Sequence, residues 1–347
     1  MESMGTADRS LAALWAQKYV QKLRAQTAPI EAPNAQLAQK VKGSLRFASS
    51  QAWAKTEKLL TAEMTRHRLD PDLIDPWQIA EDSRQLFEKA AESYQEQLSP
   101  ERFSVEIAAS CGQLRARYTQ RDPRVLGFMS MQFHYTGQLV LQPLSAQERS
   151  LFYPYLKVMD DHLYMPLQRS YAAAAVHAGQ TLSPPLAAVQ ELLPITTQVA
   201  ESICGEVAQR FSDYRTESGL LTDVEVRISS IRDVEMFQVY LGLCALEGNV
   251  AAVQQELFPL CVMLYPALKV SWDLVRQMLQ LLDESLHFHL TPPSYELILP
   301  YLQAIQDMFS LEVFPEEDPI WSHHPDVVRF MGAARELLQE LLSKQAS

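Results

Sequence analysis

Glycine is scarce, 11 residues in 347, or about 3% against a usual ~7%. Few tight turns can be built from so little glycine, and with Ala, Leu and Gln abundant the composition predicts helices. Cysteine is sparse too. Cys111, Cys204, Cys244 and Cys261 lie far apart, with no C-x-x-C and no Cys/His pairing at zinc spacing, so a structural zinc site and a disulfide framework are both excluded. Reduced, mostly buried thiols are expected. No run approaches the ~18 apolar residues of a membrane span, and the N-terminal MESMGTADRSLAALWAQKYVQKLRAQ has no apolar signal region. A cytoplasmic protein, neither secreted nor membrane-spanning, is therefore expected. Also missing are G-x-S-x-G, a Cys beside a His, and a glycine-rich phosphate loop. These absences nominate no catalytic residue.

What is present is globular in character, with 47% hydrophobic and 21% charged residues. The net charge of −12 is uneven: residues 1–60 carry nine Lys/Arg against four acids, net +5, which leaves −17 for the remainder. An acidic body argues against nucleic acid as a partner. The basic arm has Trp15, Tyr19 and Leu23 at four-residue spacing, a packing stripe. Its charges read as a solvated face, with contact to an acidic partner or a membrane surface as the alternative.

Helical periodicity over residues 1–26 is followed by AQTAPIEAPNAQ, a linker by composition. A second helix is expected over 36–68, and the Asp-Pro steps in RLDPDLIDPW turn the chain into another from Pro76 to about 99. Ser99 and Pro100 start the next. The stretch 122–144 is apolar without a period; it reads as a buried helix, with a short hairpin as the alternative. Ser145 and Glu148 form a capping box, and Thr222 with Glu225 has the same spacing. Pro166 ends one helix and Pro194 bends another. Gly248 stops the long helix that begins near Thr222. Further helices are expected at 250–264, 269–289, 294–310 and 325–343. Four regions follow: a basic N-terminal helix and linker (1–35), an N-terminal helical domain (36–144), a second helical domain (145–290) and C-terminal helices (291–347).

Leu186–Tyr214 and the run IRDVEMFQVYLGLCALEGNVAAVQQELFPLCVMLYPALKVSWDLVRQML (231–279) carry a family likeness. Arg232 and Asp233, the rings of Phe237 and Tyr240, the break at Glu247–Asn249 and the entry through Leu268–Val270 together resemble the phycobiliprotein branch of the globin fold over residues 145–290. The resemblance implies an all-α, globin-like domain in a cyanobacterial or plastid setting. It also implies an Arg–propionate pair at Arg232, an Asp–pyrrole contact at Asp233, and apolar packing around Phe237 and Tyr240. Chromophore-bearing members of the family attach a bilin through a cysteine two positions before the Arg. Here that position is Ser230, and a hydroxyl is too weak a nucleophile to form the thioether. No cofactor is expected, with a non-covalent bilin as the alternative.

Other constellations weigh less. Glu284 and His287 have di-iron spacing without a second copy. Asp160, Asp161 and His162 are consecutive, so on a helix they point about 100° apart and cannot meet on one metal ion. His134 and His177 are conceivable haem ligands, and His323 and His324 read as the entry to the last helix. The favoured expectation is a non-catalytic relative of phycobiliproteins acting through protein contacts, with a photosynthetic complex or phycobilisome component as partner and peripheral thylakoid contact allowed. A tetrapyrrole carrier or sensor stands second, and a haem- or di-iron-dependent enzyme third.

Overall fold

The computed structural model of the protein describes residues 10–25, 35–177 and 183–314. The helices are α1 (Leu11–Ala25), α2 (Ala35–Arg66), α3 (Pro76–Gln95), α4 (Pro100–Thr119), α5 (Val125–Leu141), α6 (Ala146–Tyr164) and α7 (Leu167–His177). After them come α8 (Pro184–Leu192), α9 (Thr196–Arg210), α10 (Val224–Glu247), α11 (Phe258–Leu264), α12 (Trp272–His289) and α13 (Pro292–Met308). The described residues are all-α apart from one antiparallel pair of two-residue strands, β1 (Arg215–Thr216) and β2 (Gly219–Leu220). The 325–343 segment and the His323–His324 pair lie outside the described residues.

Local chemistry explains most helix starts. Asp75 Oδ1 accepts from the N–H groups of Trp77 and Gln78 at 3.0 and 3.1 Å, and Ser99 Oγ accepts from Arg102 at 3.3 Å. Both halves of the box at Ser145 and Glu148 form, at 3.2 and 2.9 Å. The box expected at Thr222 and Glu225 does not. The residue at the cap is Asp223, and its carboxylate accepts from Leu220 N–H at 2.8 Å, closing the strand pair instead of the helix. Pro194 sits in a 3₁₀ turn, Leu193–Ile195, that separates α8 from α9. Gly248, at φ +69°, ends α10 in the left-handed region that glycine adopts without strain. The aperiodic 122–144 stretch is helix α5, buried without interruption from Val125 to Phe133.

The centre of the molecule is α10, in which every residue from Val234 to Leu246 is buried. A helix enclosed on all sides needs neighbours all round, and α10 packs on α7, α8, α9 and α13. Elsewhere α2 lies on α3 and α5, α4 on α6, and α12 on α9 and α13, while α1 rests across α4 and α7. One apolar cluster runs from Trp15 to Phe309. It crosses the expected boundaries at 35, 144 and 290 without a break.

Candidate functional site

Lys18 of the basic arm is not solvated. Its ammonium is buried between Asp161 Oδ2 of α6, at 3.2 Å, and Glu235 Oε1 of α10, at 3.1 Å. Lys157 of α6 pairs with Asp161 Oδ1 and lies 3.2 Å from Glu235 Oε2. Two lysines and two carboxylates thus form a neutral square. Tyr19 O–H donates to Asp161 at 2.8 Å, Trp15 Nε1–H donates to Tyr19 at 3.0 Å, and Thr197 O–H donates to Glu235. Burial alone would raise both carboxyls, but Lys157 and Lys18 outweigh it and hold Asp161 and Glu235 below their ordinary values. For Lys18 burial wins, and its pKa is lowered; for Lys157 the carboxylates win, and its pKa is raised. For Lys18, at least, the acidic partners are inside the protein. Lys40 and Lys42 likewise pair with Glu148 and Glu92.

Beside the square lies a cleft of about 520 Å³ among α2, α5, α6 and α10, within the size range of small-molecule sites. Phe133, Leu139, Leu141, Leu156 and Ile228 give it apolar walls. Deep in it are Lys157, Asp160 and Arg232, and at its mouth stand the exposed Lys55 and Arg149. Arg232 reaches both oxygens of Asp160 at 3.2 Å and Asp233 Oδ1 at 3.4 Å, with its guanidinium stacked 3.9 Å from the Tyr164 ring centre. Its buried Nε–H has no acceptor among the described residues. His134 opens on the same cleft; burial, helped by Arg232, pushes its pKa down to about 4, so it is neutral at pH 7. Asp160 and Arg232 are already paired with each other, and Lys157 with Asp161 and Glu235. Lys55 and Arg149 have no ion pair among the described residues, whereas the lining's remaining acid, Glu225, accepts from Gln138 at 3.3 Å.

The residues suggested by the phycobiliprotein resemblance do not meet on one surface. Arg232 faces the cleft, whereas Ser230, Asp233 and Phe237 line a separate cavity of about 40 Å³, room for a water or two. Asp233 is raised above its ordinary pKa by burial, against the pull of Arg232 and Tyr164. Tyr240 lies in neither space; its hydroxyl accepts from Arg115 at 2.9 Å. That arginine also donates to the Leu163 and Tyr164 carbonyls, both at 2.7 Å, closing the end of α6. A pose that puts one tetrapyrrole on Arg232 and Asp233 together therefore finds its two anchors on different cavities.

The consecutive residues Asp160, Asp161 and His162 diverge as helical geometry demands: to Arg232, to the two lysines, and to Ser104 and the Val158 carbonyl. Glu284 accepts from Gln280, while the His287 ring packs on Tyr295. His177 Nε2–H donates to the Leu246 carbonyl and Nδ1 accepts from Ser183 O–H, each at 2.8 Å. Ser183 also caps α8, its Oγ accepting from Leu186 N–H at 3.5 Å, while Pro184 and Pro185 have no N–H to offer. All four cysteines are buried and free, and burial pushes the Cys111 thiol up to about 12. Among the described residues no helix is long and apolar enough to cross a membrane.

Reading residues one at a time misses the square, because Lys18, Lys157 and Glu235 come from three distant parts of the chain. One signal was available. Glu235 is the sole charged residue between Val234 and Leu246, and a carboxylate in such a run needs buried partners. Its partners are the lysines, not Arg232. Comparison with known protein families, curated proteins and solved structures finds no match to this chain.

Proposed function

We propose that this is a non-catalytic binding protein whose cleft takes an organic anion with an apolar body. The observation that carries the reading is the pairing of apolar walls with two cations without ion pairs among the described residues, Lys55 and Arg149, which outnumber the one such carboxylate, Glu225, around a 520 Å³ space. Apolar walls supply affinity in proportion to area removed from water, and the cations favour a carboxylate end over a neutral one. A bilin, with its propionates and extended apolar body, belongs to this class; the globin-like reading of residues 145–290 enters through Arg232, which faces the cleft. Dodecanoate, a bilin and dodecanol as neutral control, titrated by calorimetry, test the proposal. The carboxylates should bind in the micromolar range, and Lys55→Glu with Arg149→Glu should weaken them about tenfold, roughly 1.4 kcal/mol, with dodecanol little changed. Absence of carboxylate binding at several hundred micromolar would remove the reading.

A second reading, docking of other proteins in assembly or regulation of a photosynthetic apparatus, draws on the resemblance and on two isolated exposed rings. Trp77 and Phe288 are 86% and 83% exposed, more than packing alone requires. Pull-down with thylakoid and phycobilisome fractions, repeated with Trp77→Ser and Phe288→Ser, tests it.

A further inference from the structure

Lys157 belongs to two places at once. It lines the cleft, and it is one of the two cations held by the Asp161–Glu235 carboxylate pair. The other cation, Lys18, is brought by α1, which in docking on α4 and α7 buries that ammonium between the two carboxylates. The two lysines therefore share the same two acceptors and repel one another across them. We propose that occupancy of the cleft by an organic anion and docking of α1 are linked with positive sign, through Lys157.

This linkage rests on the cleft reading above and follows from charge. An anion in the cleft draws on the Lys157 ammonium, which moves on a flexible four-carbon stem. The carboxylate pair then turns more fully to Lys18, and α1 is held more tightly. In the reverse direction, removing Lys18 leaves two buried carboxylates with one cation. They hold Lys157 harder and place a net negative charge behind the cleft, which opposes an incoming anion. Linkage requires that a docked α1 favour the anion by the same free energy by which the anion favours docking.

Hydrogen exchange of α1 in the wild-type chain, with and without dodecanoate, reads the first effect; the linkage expects slower exchange over Leu11–Ala25 at saturation. Lys18→Met reads the second, with dodecanoate affinity falling about fivefold or more and dodecanol affinity unchanged. Lys18→Met combined with Glu235→Gln restores a neutral pair and should recover the dodecanoate affinity, which a merely unfolded variant would not do. If dodecanoate binds the wild type while α1 exchange stays the same, the linkage is overturned and the cleft reading stands. If dodecanoate does not bind at all, both fall. The wild-type exchange measurement needs no variant, so poor folding of Lys18→Met cannot rescue the idea.

Discussion

His162 has two polar neighbours. Its Nδ1–H donates to the Val158 carbonyl at 2.8 Å, and Nε2 faces Ser104 Oγ at 3.4 Å. In a site 2% exposed, burial outweighs the Val158 carbonyl and the nearby Asp161 carboxylate, which favour the imidazolium, and pushes the pKa down to about 4. The unfolded chain, with an ordinary histidine pKa near 6.5, therefore takes up protons first as the pH falls. Stability is expected to drop from about pH 6.5 towards 4, and His162→Gln should remove up to about 3 kcal/mol of that drop. Urea denaturation at pH 7 and pH 4.5 measures it. Equal pH dependence in variant and wild type would take His162 out of the account.

Helix ends are where the sequence was most legible. Ser145, Ser99 and Gly248 act within four residues of themselves, so their roles could be read without knowing what packs nearby. Thr222 shows the limit: its spacing to Glu225 fits a box, but a two-residue strand pair just upstream takes the Asp223 carboxylate. Ser145→Ala should therefore cost about 1 kcal/mol, and Thr222→Ala should stay within about 0.5 kcal/mol. Chemical denaturation of the two variants separates a formed cap from a spacing coincidence; similar losses would contradict the assignment. The candidate site was less legible than the caps. Arg232 was singled out and does face the cleft, but through a family likeness rather than through its neighbours. Lys18 looked like one more charge on a solvated face, because burial of a lysine depends on carboxylates more than a hundred residues away.

The four regions expected along the chain share one apolar core from Trp15 to Phe309, with α10 enclosed at its centre. Helices that complete one another's burial cannot unfold independently at low cost. Thermal unfolding should accordingly give one calorimetric transition, coincident by near- and far-ultraviolet dichroism. Two resolved transitions would favour a boundary near residue 144. The square of Lys18, Lys157, Asp161 and Glu235 adds a constraint of another kind, on how the gene can drift. Losing one member strands a buried charge at about 3–5 kcal/mol, a large share of the 5–15 kcal/mol that keeps a typical domain folded. A lysine can be lost from the square only together with a carboxylate. Along any line of descent that keeps this core, the four positions should therefore change in neutral pairs or not at all.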